Sequence, residues 1–165
     1  MLKFTAFKRL LRIVLVSAAL LPAASSFAGC GFKSGSWGLF LSYPGAGFKY
    51  FSTAEYAIAP RILLADDITA GGLRGYRYFQ LGGGGIKTLA GWEFLYFNFK
   101  GEETRGGGYL GGFFLGGEYF ITERLCLELD FGPQYIYLRD RSTEISLGDF
   151  AFAVNITLNR YFNLP

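Results

Sequence analysis

Residues Phe150 to Phe162 read Phe-Ala-Phe-Ala-Val-Asn-Ile-Thr-Leu-Asn-Arg-Tyr-Phe and alternate strictly over most of their length. One face of this alternation is apolar and comprises Phe150, Phe152, Val154, Ile156, Leu158 and Phe162. The other face carries small or polar side chains, namely Ala151, Ala153, Asn155, Thr157 and Asn159. A period of two predicts a β-strand, here about twice the usual length in soluble proteins. Strands of roughly ten residues, apolar outward and polar inward, cross bilayers in closed barrels.

The N-terminal segment predicts export. Four cations within the first twelve residues precede an apolar run at 13–21, which is too short for a spanning helix. Ser26 and Ala28 place small residues at the two positions that signal peptidase reads, so cleavage is expected after Ala28. We therefore expect a signal peptide at 1–28, an N-terminal tail at 29–35 and one barrel domain at 36–165.

The formal charge of +3 mostly reflects this signal segment. Beyond residue 28, twelve basic side chains face thirteen acidic ones. A nearly neutral chain without a cluster of lysine or arginine cannot neutralise a row of phosphates, so nucleic acid is not an expected partner. Aromatic residues at 19% and 24 glycines suit a barrel with aromatic girdles and tight turns.

A second long alternation lies at 125–139. Its leucines and aromatic residues share one face, and Glu128 and Asp130 share the other. Because a charge facing lipid costs several kcal/mol, these carboxylates must point into a polar interior. Further strands are predicted at 55–64, 69–80, 88–100 and 109–120. Pro60 removes a ladder donor, which predicts a bulge at that position.

The connections predict the topology. The turn at 122–124 is short, whereas the polar segments 101–108 and 140–147 are longer, and outer-membrane barrels have short periplasmic turns and longer external loops. Both termini then lie on the periplasmic side, which requires an even number of strands. The turn signal Tyr43-Pro44-Gly45 splits the segment 36–51 into two short strands. We therefore predict an all-β, antiparallel, up-and-down transmembrane barrel of eight strands.

Seven charged side chains are predicted to point inward. They are Lys49, Arg61, Arg74, Glu93, Glu118, Glu128 and Asp130. An eight-stranded barrel is just wide enough inside for its own side chains, and buried charges persist when they are paired. The set therefore predicts an ion-pair network that plugs the lumen. The alternative is a polar pore, or an acid and base pair formed by Glu128 and Asp130 about 7 Å apart on one strand face.

Catalysis and cofactors are not expected. The chain contains no histidine, which removes Ser-His-Asp and Cys-His arrangements and the commonest transition-metal ligand. The glycine runs 82–85 and 106–108 are not followed by Lys-Ser/Thr or by a helix, so they predict hairpin turns and no phosphate site. We predict no catalytic, cofactor-binding or metal-binding residue.

The two cysteines leave alternatives open. Export to an oxidising compartment allows a disulfide between Cys30 in the tail and Cys126 near the periplasmic turn. The stretch Phe27-Ala28-Gly29-Cys30 also resembles a lipoprotein signal, in which Cys30 would be acylated. A free Cys30 is the third possibility.

The mature chain resembles the small outer-membrane β-barrel proteins of Gram-negative-type bacteria, the group that contains the membrane domain of outer-membrane protein A. The resemblance rests on the signal segment, Gly-Gly-Glu-Tyr-Phe at 116–120, Leu-Glu-Leu-Asp-Phe-Gly-Pro at 127–133 and the aromatic end of the last strand. It implies that Tyr161 and Phe162 serve as the signal for the barrel-assembly machinery, although three residues follow Phe162.

This resemblance implies a monomer in the outer membrane, with lipid and the assembly machinery as partners. Its implied role is structural, adhesive or surface-exposed, without catalysis. A first alternative is a small pore or transporter for a small or hydrophobic solute, which would need an inner cavity or a lateral gap. A second is a soluble periplasmic lipocalin-like binder, whose apolar side chains would point inward.

Overall fold

The computed structural model describes residues 31–65, 67–79, 86–100, 105–140 and 146–165. Within these ranges the chain forms eight antiparallel strands that close into one barrel in sequence order. The strands are β1 (Trp37–Ser42), β2 (Gly45–Phe51), β3 (Tyr56–Ala65), β4 (Ile68–Phe79), β5 (Ile86–Lys100), β6 (Arg105–Phe120), β7 (Leu125–Asp140) and β8 (Ser146–Phe162). The predicted fold class and strand number are confirmed. The predicted signal peptide and Cys30 lie outside the described residues.

Side chains alternate between a charged interior and an apolar exterior. Outward Phe113 and Phe150 are 71% and 77% exposed, whereas inward Glu118 and Glu128 are 0% exposed. Outward-facing Arg160 lies with its guanidinium 5.5 Å from the ring centroid of Phe162. The period of two read from the sequence therefore separates the same two faces in the folded chain. Among the described residues, no helix has the length and apolarity that a transmembrane span requires.

The pairing register gives the shear of the barrel. Ser42 of β1 pairs with Thr157 of β8 across the seam where the barrel closes. In the other direction, the pairing can be followed from Ser42 across all the remaining strands to Leu147 of β8. The partners on this path are, in order, Gly45, Leu63, Ala70, Phe97, Gly108 and Leu138. Leu147 and Thr157 lie ten residues apart on one strand, so the shear is ten residues and the strands are strongly tilted.

The two ends of the barrel differ in shape. We call the end that holds both chain termini and the turns 52–55 and 121–124 the turn end, and the opposite one the loop end. At the turn end all strands begin or end at nearly the same height along the barrel axis. At the loop end their heights differ, because β1 and β2 have six and seven residues and β8 has seventeen. The loop-end rim therefore rises along the hydrogen-bonding direction from β1 round to β8. The full shear of ten residues appears there as one difference in height between the end of β8 and the end of β1.

Two sequence expectations are corrected. Within the described part of β2 and β3 the register is the same on both sides of Pro60, so the predicted bulge is absent. The ladder lacks the pairs around Phe48 and Pro60 instead, because the proline has no N–H to contribute. Gly106, Gly107 and Gly108, predicted as a hairpin turn, lie in β6 and pair with both neighbouring strands. The turn at Tyr43-Pro44 is found where it was predicted.

Candidate functional site: the barrel interior

Six strands bring the seven predicted charged side chains into one layer of the lumen. Lys49 comes from β2, Arg61 from β3, Arg74 from β4, Glu93 from β5, Glu118 from β6, and both Glu128 and Asp130 from β7, so that six of the eight strands face this layer once β7 is included. All seven side chains are at most 6% exposed. The register places Glu118 directly opposite Glu128, and Arg74 directly opposite Glu93. Charges that are far apart in sequence therefore meet through strand pairing.

Lys49 is the centre of the part nearer the turn end. Its Nζ donates hydrogen bonds of 2.7 Å to Glu118 Oε1 and to Glu128 Oε2. Three further groups complete the shell: the hydroxyl of Tyr78 donates to Glu118 at 2.9 Å, that of Tyr161 also donates to Glu118, and Asn159 Nδ2 donates to Glu128 at 3.0 Å. The ammonium also lies 4.1 Å from the ring centroid of Tyr76. One cation thus holds two opposed carboxylates.

Arg74 links this centre to the second half of the layer. Its Nη2 donates to Asp130 Oδ1 at 2.8 Å, and its Nη1 lies 3.6 Å from Glu128 Oε1. On the other side its Nε lies 3.8 Å from Glu93, which also accepts a hydrogen bond from Arg61. The guanidinium lies 3.8 Å from the ring centroid of Phe114, a cation–π contact.

Neutral amides finish the layer towards the loop end. Gln134 donates from Nε2 to Glu93 Oε2 at 3.2 Å, and Asn155 donates from Nδ2 to Asp130 Oδ1 at 2.9 Å. Every carboxylate in the layer therefore has a cationic partner and a neutral donor or a second cation. Buried ions that are paired and hydrogen-bonded in this way can remain charged without water.

An aromatic floor closes the turn end below the charges. Phe32, in the predicted N-terminal tail, enters the barrel and stacks on Phe51 with ring centroids 4.0 Å apart. Its ring also packs edge-on against Tyr78 and Tyr161. The chain termini are joined there, since Ser36 Oγ donates to the carbonyl of Asn163 and Asn163 Nδ2 donates to the carbonyl of Gly35. The floor keeps one face of the charge layer away from solvent.

The remaining predicted positions lie around this floor. Cys126 is 0% exposed inside the barrel, while its proposed partner Cys30 lies outside the described residues. Tyr161 points inward to the carboxylate of Glu118, whereas Phe162 points outward and stacks on Trp37 at 4.3 Å. The two halves of the predicted assembly signal therefore occupy opposite faces, and its recognition by assembly machinery stays a prediction.

Two contributors were not anticipated. Tyr78 was not assigned to the ion network, although it shares the parity of Arg74 and Tyr76 on β4 and could have been placed inward by alternation. Phe32 has no periodic signal around it, because it lies in a short tail before β1. Its position depends on the aromatic rings that four different strands present at the turn end.

The chemistry available to the layer is limited. Each carboxylate is held by a cation, and no described group of three His, Cys, Asp or Glu side chains is arranged to hold a metal ion. Glu128 and Asp130 are on one face of β7 as predicted, but their cations are Lys49 and Arg74, and neither carboxylate faces open lumen. The arrangement is suited to filling space with paired charge.

The sequence and the fold of the barrel can be compared with those of known proteins. No protein-family model matches the chain, and no curated protein matches it in sequence. Among solved structures, the chain is similar to the N-terminal β-barrel domain of Pseudomonas aeruginosa OprF, with a TM-score of 0.55 and 14% identity over 80% of this chain and 99% of that domain. The chain has the fold of the OprF barrel domain. The predicted resemblance to small outer-membrane barrels is thereby confirmed at the level of fold.

Proposed function

We propose that this chain is an integral outer-membrane β-barrel whose interior is plugged by paired charges and whose role is structural, adhesive or surface-exposed. The observation that carries the proposal is the inverted polarity of the barrel. Large apolar side chains cover the outside, and charged ones are buried inside. A bilayer is the solvent that makes this arrangement favourable, since it accepts the apolar exterior and excludes charge. The similarity of the fold to the OprF barrel domain supports the proposal independently of this polarity.

The interior layer supports a plug in preference to a conducting pore. An open water-filled path would leave charged side chains hydrated and exposed, whereas these are 0–6% exposed and bonded to one another. The aromatic floor at Phe32 covers the turn end of the same lumen. We propose that the barrel does not conduct ions and carries out no catalysis. Its recognition by barrel-assembly machinery and its monomeric state are further proposals.

The inverted polarity also argues against a soluble lipocalin-like binder. Such a fold buries its apolar side chains and hydrates its exterior, but here Phe113 and Phe150 are on the outside. A soluble protein with this surface would expose a continuous apolar belt and would aggregate.

The membrane placement can be tested by cysteine labelling. In a background of Cys30→Ser and Cys126→Ser, single variants Phe113→Cys and Thr122→Cys would be treated with a water-soluble maleimide. We expect Thr122→Cys, in an exposed turn, to react in permeabilised cells and Phe113→Cys to stay unlabelled until detergent is added. Equal labelling of both positions without detergent would contradict the proposal, as would release of the protein by osmotic shock.

The plug can be tested by planar-bilayer recording. Folded protein, identified by its shifted migration on unheated gels, is expected to give no stable unitary openings. The gel migration of the same preparation is the control, because it shows that an absence of openings is not caused by unfolded protein. Reproducible unitary openings would favour the pore alternative.

A further inference from the structure

The step between β8 and β1 leaves part of β8 without a neighbour. Pairing between the two strands covers Trp37–Ser42 of β1 and reaches no further along β8 than Thr157. Within the described residues, positions 146–156 of β8 have a partner strand on the β7 side alone. At about 3.3 Å per residue and a tilt of about 40°, this edge rises roughly 25 Å above the β1–β2 turn. Closed barrels normally have no such edge.

The opening beside this edge is wide. It is bounded by β8 residues 146–156, by the β1–β2 turn and by the end of β3, and we call it the seam window. With two strands absent between β8 and β3, its width is about 14 Å at the usual strand spacing. On the β3 side, the N–H of Leu64 donates to the carbonyl of Pro44 at 3.0 Å. In the part of the chain that the structure describes, the long edge without a partner strand at the window is therefore that of β8.

The direction of the backbone groups can be read from two hydrogen bonds. The N–H of Tyr161 donates to Arg124 O at 2.8 Å, so odd-numbered residues of β8 bond towards β7. Even-numbered residues point into the window, and the N–H of Phe150 there is capped by the side chain of Asp149 at 2.8 Å. The next even positions, Phe152 and Val154, carry outward apolar side chains that are 67% and 65% exposed. The open edge thus continues into the lipid-facing band.

The lumen behind the window is mainly apolar; Asp149 is the acidic residue that β8 turns inward there, and its carboxylate accepts the N–H of Phe150. On the loop-end side of the Arg61–Glu93 pair, alternation points these side chains inward: Leu63, Ala70, Leu95, Leu110, Ile136 and Ala153. Ala153 is half-buried and Ala151 is exposed, although both point inward, whereas inward Thr157 further down the same strand is 1% exposed. The interior is therefore accessible at the window and closed below it.

We propose that the seam window is a lateral binding site for an acyl chain of a membrane amphiphile, which enters from the surrounding leaflet and lies in the apolar upper lumen. The ion-paired layer is its floor. An amide, ester or hydroxyl group of the amphiphile forms hydrogen bonds with the backbone of the even-numbered β8 residues, because N–H and C=O groups that face hydrocarbon without a partner are strongly unfavourable. This inference rests on the proposed membrane placement.

Continuity between edge and lumen favours a lipid over a second copy of the chain. A second barrel could pair with the β8 edge, but its wall could not reach the inward side chains behind it. An acyl chain is narrow and apolar and surrounds the window in a membrane. It can therefore cover the inward alanines and the edge together.

Photo-crosslinking in intact membranes tests the proposal. A diazirine side chain would be placed singly at Ala153, at Phe152 and at Ala59, which points inward below the window and is 0% exposed. Mass spectrometry of the purified protein would then identify each adduct. We expect lipid adducts at 153 in a yield comparable with that at 152, and none above background at 59.

Each other result has a distinct meaning. Lipid adducts at 152 with none at 153 would overturn the lateral site and leave the proposed membrane placement standing. A covalent dimer at 153 would overturn it in favour of a second copy on the edge. Absence of lipid adducts at 152 would overturn the membrane placement and the lateral site together.

A blocking variant provides a second measurement. With the diazirine at Ala151, the substitution Ala153→Trp should lower the lipid adduct because the indole occupies the window. Val154→Trp, the neighbouring substitution on the outer face, should leave that yield unchanged and is the matched control. Equal yields in both variants would place the lipid on the outer surface and overturn the proposal.

Discussion

The two halves of the lumen follow the same alternation of side chains but are held together differently. In the turn-end half, all eight strands are present, and inward side chains such as Glu118 and Ala59 are 0% exposed. In the loop-end half, β1 and β2 are missing, and inward Ala151 is exposed. Complete closure of the wall allows charges to be buried and paired, and an incomplete wall leaves an apolar surface open to the surroundings. Four comparisons of variants test this difference between the two halves.

The largest effect is expected from Lys49→Met. It leaves Glu118 and Glu128 opposed and buried without their shared cation, which should lower the free energy of unfolding by about 3–5 kcal/mol. Urea unfolding in detergent micelles, followed by tryptophan fluorescence, measures the change. The control is Lys100→Met at the exposed end of β5, which should stay within about 0.5 kcal/mol of the parent.

A related triple variant separates charge from packing. Adding Glu118→Gln and Glu128→Gln to Lys49→Met removes both unpaired charges and should recover part of the lost stability. If Lys49→Met alone were as stable as the parent protein, the charge layer would not hold the turn-end half together.

The aromatic floor should give the next effect. Phe32→Ala removes a ring that is 6% exposed and packed on Phe51, Tyr78 and Tyr161, with an expected loss of about 3 kcal/mol. Phe152→Ala on the outer face of β8 is the matched control and should cost clearly less. The same urea titration compares them, and equal losses would mean that Phe32 does not close the lumen.

Two leucines on β5 compare the halves directly. Leu89 lies inward in the turn-end half and is 0% exposed, and Leu95 lies inward in the loop-end half and is 4% exposed. Leu89→Ala should cost about 2–5 kcal/mol because its neighbours cannot collapse into the cavity. Leu95→Ala should cost less, because the wall of the loop-end half lacks β1 and β2 and its neighbours can move into the space that the side chain leaves. A larger loss for Leu95→Ala would show that the loop-end half is the better packed.

The smallest effect is expected at the window. Ala153→Asn adds an amide to a half-buried, accessible position and should change the free energy of unfolding by less than about 0.5 kcal/mol. Ala59→Asn, at the same inward parity but 0% exposed, should be strongly destabilising because the amide has no room. The temperature at which each variant loses its folded migration on a gel is sufficient to rank the pair. Similar losses of stability in both variants would indicate that the upper lumen is closed.

Several features of the fold followed from the sequence with little ambiguity. The alternation at 125–139 and 150–162 specified which side chains face outward, because a one-residue shift would place Glu128 and Asp130 on the apolar outer face. The count of eight strands needed a further argument, since it depended on interpreting Tyr43-Pro44 as a turn and on the requirement for an even number of strands. The inward positions of the charged residues followed from the same period of two.

Other features could not be predicted from local sequence. Glycines 106–108 were expected in a turn because glycine is common there, but their neighbours on β5 and β7 extend the sheet through them. The pairing of Lys49 with Glu118 and Glu128 spans up to 79 residues and depends on register, which alternation alone leaves undetermined. The position of Phe32 depends on rings from several strands.

The sequence alone was enough to predict most strand segments and the inner and outer face of each, because the hydrophobic period is a property of each segment taken alone. The tertiary structure decided which charges meet, how the turn end is closed and where the wall is incomplete. Those outcomes depend on the shear of ten residues, which arises when eight segments of unequal length pair around a closed ring. The seam window is a consequence of that closure, since a short first hairpin beside a long last strand concentrates the whole shear at one place.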